Sequence, residues 1–306
     1  MNNFIVRSIT GVLFVAAVVC SFLDPIAMVA LFMLITGLTV HEFCKLVNEN
    51  VEKVHVNSFI CTVAGTYFFL AMAGYCSNAT NSAAVFIPYL ITIIYLLISE
   101  LYLKAEDPIS NWAYTMMSQM YVALPFSMIN VLAFQQVQGG GECSEALFGV
   151  PVGVAFCALP LVVFIFLWTN DTGAYLSGSL FGKHKLFPRV SPGKSWEGSI
   201  GGGILVLLVA TLMWYLSEQA FDTEACKLAT MFDYQLSLPE WLGMGLVVVF
   251  FGTWGDLVES LLKRTIGVKD SGNILPGHGG MLDRFDSSML AMPAVVVYLF
   301  TIQMIG

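Results

Sequence analysis

About nine stretches of this chain are apolar over enough residues to cross a lipid bilayer, and their repetition decides the fold class before any motif is considered. They fall at about residues 8–23, 26–41, 57–75, 84–103, 111–134, 148–169, 199–216, 241–255 and 288–305. Only 11% of the residues are charged, while 57% are hydrophobic, against roughly 25% charged in a soluble domain. Inside lipid every backbone polar group must be satisfied by the protein, so only helices or closed barrels span it. Barrel strands would alternate in polarity over about ten residues, and runs such as 159–167 do not alternate. The expectation is an all-α, polytopic membrane helical bundle. Its first two stretches are joined only by Asp24-Pro25, which fits either a tight hairpin or one broken segment.

The remaining composition narrows the partners. Thirteen basic residues stand against 21 acidic ones, a net charge of −8, so no nucleic acid is held by charge alone. Soluble enzymes and disordered chains are excluded by the 57% hydrophobic and 11% charged composition. The seven cysteines (Cys20, Cys44, Cys61, Cys76, Cys143, Cys157, Cys226) show no C-x-x-C spacing, and most read as small apolar packers. Cys143 and Cys226 fall on one side of the membrane, where an oxidising compartment would let them pair. Arg7 precedes the first apolar run as in a secretory signal, but no small-x-small cleavage site precedes Asp24, so the segment is expected to stay.

Basic residues also orient the bundle, because Lys and Arg of short loops remain cytoplasmic. With nine alternating spans, twelve of the thirteen fall on one side and only Lys227 on the other. The expected topology is a cytoplasmic N-terminus and an outside C-terminus. Eight of the thirteen concentrate in two inner connections, residues 170–198 and 256–287, and chemistry is expected there.

The eighth stretch continues past the membrane boundary with Asp256, Glu259, Ser260 and Lys263 at i, i+3, i+4 and i+7, one face of one helix. Ionisable groups at membrane depth face a bundle interior or a water-filled cavity. Downstream, Gly272, Gly277, Gly279 and Gly280 permit close backbone approach, and the last two precede a helix start that favours an anion. Asp283 and Asp286, three apart, project together if both lie on one helical turn. With Asp256 they offer oxygen ligands to a hard cation such as Mg²⁺. His278 between glycines reads as a phosphate contact, and no second histidine stands at ligand spacing. The bland alternative is a charged loop that enforces topology and pairs its own charges.

In the other connection Asp171 follows the sixth stretch, as a ligand or substrate-orienting group, or else as a helix cap or a partner for a nearby lysine. Gly193-Lys194-Ser195 resembles the end of a phosphate-binding P-loop but lacks the required upstream glycine and strand. Lys194 and Ser195 remain candidate phosphate contacts. Gly198 and Gly202, four apart, give the seventh helix a small face for close packing. Mg²⁺, basic residues and a glycine-rich segment at a membrane surface together suggest phosphoryl or nucleotidyl transfer.

The segment from Ser260 through Lys263-Arg264, Lys269-Asp270, Gly272, Leu275-Pro276, His278-Gly279-Gly280, Asp283-Arg284 and Asp286 resembles the signature of phosphatidate cytidylyltransferases, the CDP-diacylglycerol synthases. Asp171 to Tyr175, Gly182-Lys183 and Ser191 to Gly198 resemble the same family, so the likeness covers roughly the second half of the chain. It departs mildly at Gly193, where many members carry lysine, and at Ser195, often threonine. The resemblance implies a multi-spanning, Mg²⁺-dependent enzyme that condenses CTP with phosphatidic acid to CDP-diacylglycerol and pyrophosphate. It implies catalytic roles for Asp256, Lys263, Asp283 and Arg284. Substrate contacts are then expected from Asp171, Lys194, Ser195, Ser260, Arg264, Lys269, His278, Gly279 and Gly280. Asp256 and Asp283 are expected to ligate metal, with Asp286 and Glu259 as additional or supporting carboxylates, and a second cation is left open.

Residues 1–135 are expected to form a scaffold and 136–306 the catalytic region of one integral unit. His41-Glu42 closes the second stretch and reads as an interfacial pair reaching toward headgroups, with a lipid entrance as the alternative. Membrane lipids are the surroundings, a homodimer is left open, and a bacterial plasma membrane with a cytoplasmic site is the expected location. Two rivals remain. A CTP-dependent lipid kinase would move the γ-phosphoryl group, and a transporter of an anionic solute would place the ionisable stripe at a midplane site.

Overall fold

The computed structural model describes residues 3–80, 82–134, 158–221, 236–274 and 279–305. Among them, eight helices are long and apolar enough to cross a membrane: Pro25–Asn50, Ser58–Cys76, Ala83–Leu103, Pro108–Phe134, Leu159–Phe181, Trp196–Glu218, Leu238–Thr265 and Leu282–Met304. A ninth helix, α1 (Asn3–Ser21), has the shorter apolar run Ile9–Ser21. The chain is a polytopic helical membrane protein. Its two compact units are Met1–Phe134, Glu145–Val152 and Leu262–Phe285 in the first, and Gln135–Ser144, Gly153–Leu261 and Asp286–Gly306 in the second.

In the first unit the short Asp24-Pro25 junction separates two helices. Asp24 caps α2 (Pro25–Asn50) by accepting from Ile26 N and Ala27 N, and Pro25 needs no amide partner at that first helical position. α3 (Ser58–Cys76) and α4 (Ile87–Leu103) follow, then α5 (Pro108–Met117), a π turn over Ser118–Ala123 and α6 (Leu124–Phe134). The fifth apolar stretch is thus one span with a π turn, placed just before Pro125, whose missing amide breaks the regular ladder. Phe22, Phe32, Phe43, Phe69 and Phe126 are fully buried. The short helix α10 (Leu282–Phe285) joins this core through Phe285, whose ring lies 5.1 Å from that of Phe126, 5.6 Å from Phe14 and 6.1 Å from Phe32. Cys44, Cys61 and Cys76 are buried and unbridged, as packers should be.

The second unit holds α7 (Ala158–Phe181), a two-stranded antiparallel hairpin β1 (Lys185–Phe187) and β2 (Ser191–Ser195), α8 (Trp196–Phe221), most of α9 (Leu238–Thr265) and α11 (Ser288–Ile305). Two expectations are corrected here. Residues 170–181 are helix instead of loop, so Asp171 lies inside α7 and is not a cap. Packing explains the difference: α7 and α8 meet through glycines, and a Cβ on Gly173 would touch Gly202 Cα at 2.9 Å. Gly198 likewise meets Ala174 O, and Gly202 meets Asn170 O and Oδ1, both at 2.7 Å. Close backbone approach of this kind is how helices associate without a hydrophobic driving force. Gly202→Val is therefore expected to cost about 1–3 kcal/mol through overpacking, measurable as a lower thermal unfolding temperature in detergent.

Candidate active site

In the second unit, α9 brings Asp256 to a half-buried position one residue after Gly255, where a Cβ would meet Asp286 O and Ser287 O. That close contact lets the start of α11 lie against α9, with Asp286 accepting from Ser287 N at 2.6 Å. Lys194 reaches from β2 to Asp256, Nζ to Oδ2 2.7 Å, and donates to Thr253 O at 3.4 Å. Ser260, one turn along α9, donates to Asp256 Oδ1 at 3.2 Å. Asp256 is the carboxylate paired with the Lys194 ammonium, and Asp171 and Asp286 lie near enough to interact with both charges. Glu259 is fully buried in the same helix.

The hairpin explains the Ser191–Gly198 segment residue by residue. Ser195 is buried, and its Oγ accepts from Gly198 N at 3.1 Å, capping α8. Glu197 closes the hairpin base, accepting from Lys183 N and His184 N at 3.2 Å and pairing with His184 Nδ1 at 2.6 Å. Gly198 lets α8 approach α7, and Phe187 packs edge-on against Trp254 of α9 at 5.5 Å. This frame leaves Lys194 directed at α9. Since the cap is worth about 1 kcal/mol, Ser195→Ala is expected to lower thermal stability by that amount, read by unfolding in detergent.

In the first unit the signature segment is braced by two carboxylates. Asp283 accepts from Lys263 Nζ through Oδ1 at 2.6 Å, and through Oδ2 from Ser271 N at 2.9 Å and Gly280 N at 2.8 Å. The Lys263–Asp283 pair is only 11% and 7% exposed. Glu42 of α2, 4% exposed, accepts from Ser271 Oγ at 2.5 Å, Met281 N at 2.8 Å and Leu282 N at 3.1 Å. Gly279 adopts φ +85°, a conformation that favours glycine. A Cβ on Gly280 would collide with Glu42 Oε1 and Ser271 Oγ.

These contacts place the expected site residues in two groups. Asp171, Lys194, Asp256, Ser260 and Asp286 gather in the second unit; Lys263, Gly280 and Asp283 gather in the first. The amide of Gly280 is already held by Asp283. Arg264 donates to Val268 O at 3.4 Å, and its side chain is exposed, as are Lys269 and Arg284. His278, Cys143 and Cys226 lie outside the described residues. Glu42 corrects an expectation: it does not reach the headgroups or line an entrance but is buried against the signature, while only its neighbour His41 is exposed. The signal was present in its spacing, because Ile35, Thr39, Glu42 and Leu46 share the buried stripe of α2, where a carboxylate requires donors.

Comparison with known proteins bears on the same residues. Residues 5–302 match the cytidylyltransferase family. A phosphatidate cytidylyltransferase of Staphylococcus haemolyticus is 34% identical over 231 residues, 72% of this chain and 83% of that protein. Those of Staphylococcus aureus and Haemophilus influenzae are 46% and 42% identical over 139 and 142 residues, 45% and 46% of this chain. The matched stretch spans about half the length of these two relatives, 48% and 46%.

Proposed function

As the chain belongs to the cytidylyltransferase family, we propose that it transfers the cytidylyl group of CTP to phosphatidic acid, yielding CDP-diacylglycerol and pyrophosphate. The observation that carries this reading is the Lys194–Asp256 pair with Asp171 and Asp286 within electrostatic reach of it. Its oxygen-only donor set fits a hard dication. Among the described residues no three His, Cys, Asp or Glu side chains enclose an ion, and Mg²⁺ needs no such cage, since one or two carboxylates plus substrate phosphates and water suffice. Asp256 and Asp286 would hold Mg²⁺, which when bound neutralises phosphate charge as a Lewis acid.

Lys194, held against Asp256, supplies positive charge for the triphosphate, and Ser260 orients Asp256 through its hydroxyl. From the motif shared with the family, Lys263, Arg264, Lys269 and Arg284 are assigned to phosphate and leaving-group charge. Asp283 then positions Lys263. A phosphatidate oxygen attacks the α-phosphorus, forming the new P–O bond as the bond to the departing pyrophosphate breaks. The attacking phosphate monoester is already largely anionic at pH 7, so no side chain need act as a general base. The basic residues of the connections support a site facing the cytoplasm of a bacterial inner membrane.

Purified protein given phosphatidic acid, Mg²⁺ and CTP labelled at either the α- or the γ-phosphate tests this. Label from the α-position should enter lipid while the γ-label leaves in pyrophosphate. Label from the γ-position in lipid would instead establish a kinase, and neither label in lipid would favour solute transport.

A further inference from the structure

We infer that Glu42 is a positioning residue that ties the second span to the signature segment and so fixes the arrangement of Asp283 and Lys263. This deepens the proposed reaction and rests on that reading for its activity measurements.

Among the described residues between α9 and α10 there is little regular structure, with turns and bends around Gly267, Gly272, Gly279 and Gly280. Such backbone holds one conformation only if its polar groups are bound elsewhere. Two carboxylates supply that binding at the same two points. Asp283 takes Ser271 N and Gly280 N, while Glu42 takes Ser271 Oγ together with the amides of Met281 and Leu282. Ser271 is therefore shared, through its amide by one carboxylate and through its hydroxyl by the other. The glycines follow from this arrangement, because a Cβ at Gly272 would lie 2.8 Å from Glu42 Oε2 and one at Gly280 would overlap Oε1. Asp283 directly follows the two amides that Glu42 binds. Its contact with Lys263 depends on where those amides are held.

Glu42 touches neither substrate nor reacting atoms in this account; it acts through Ser271 and Asp283. A glutamine in its place keeps the volume but presents an NH₂ group where the carboxylate accepts hydrogen bonds. Displacement of reacting groups by about 1 Å can cost about 100-fold.

The test compares wild type, Glu42→Gln, Ser271→Ala and the double variant as full chains in detergent. It reads kcat and KM for CTP together with amide hydrogen exchange. Glu42→Gln should lower kcat about 100-fold with KM within about threefold. Exchange should accelerate over residues 279–285 and not over α3. Ser271→Ala, the gentler change, should move both readouts the same way, and the double variant should lose little more than Glu42→Gln, since both cut one tie. Unchanged kcat, multiplicative losses, or accelerated exchange spread evenly through the bundle would overturn the inference. If wild type makes no CDP-diacylglycerol, the proposed reaction fails separately. The exchange measurement then decides alone: localised loosening supports the tie and its absence refutes it.

Discussion

Asp256→Asn is expected to lower cytidylyl transfer by about 1,000-fold without lowering the thermal unfolding temperature. Both halves follow from the same geometry. Asparagine retains one oxygen that can still accept from Lys194 Nζ, which lies 2.7 Å from Oδ2 in the wild type. Its NH₂ group replaces the oxygen that accepts from Ser260 at 3.2 Å, and the Ser260 hydroxyl can turn to accept from it. The negative charge disappears, and with it the strongest pull on a dication. Asp171 and Asp286 also repel Asp256, so the repulsion relieved by the substitution offsets the lost ion pair with Lys194. A site that is stabilised when its function is removed is a common trade. Turnover measured beside thermal unfolding checks the prediction; parallel losses of activity and stability would assign Asp256 to folding.

Lys263→Met should cost about 3–5 kcal/mol of stability, because it leaves Asp283 buried without its counter-charge. The pair is almost wholly enclosed, so solvent cannot compensate. Adding Asp283→Asn should restore most of that loss: the uncompensated charge is gone, while an oxygen still accepts from Ser271 N and Gly280 N. Activity should stay more than about 100-fold down in both variants. Unfolding of the two single variants and the double variant makes the cycle. Additive losses would show that Lys263 and Asp283 contribute independently.

What could be read in advance depended on whether the signal was local. Spans announce themselves by length and apolarity, so the helical segments, the α9 stripe from Asp256 to Lys263 and the Gly198–Gly202 packing face were all legible. Asp171 was placed just past a span because the apolar run ends at about residue 169. Propensity is a weak guide where glycines permit tight helix packing, and α7 runs on to Phe181. The fold class was legible, but the small hairpin was not, since its base is closed by Glu197 and its face by the Phe187–Trp254 contact.

The role of Glu42 depended on contacts more than 220 positions away in sequence, which no local pattern contains. Only its place on a buried stripe pointed to it. Similarly, the glycines of 272–280 suggested a cradle for phosphate. The amides of Gly280, Met281 and Leu282 are instead occupied by Asp283 and Glu42, so the segment is held by the protein's own carboxylates.

The central proposal is that Asp256 of α9 and Asp286 before α11 hold the metal on which the reaction depends. Calorimetric titration of Mg²⁺ into the purified protein with a non-hydrolysable CTP analogue, in wild type and Asp256→Asn, tests it most directly. Saturable binding in wild type, weakened at least about tenfold by the substitution, is the predicted result; equal Mg²⁺ affinity in the two proteins would contradict it.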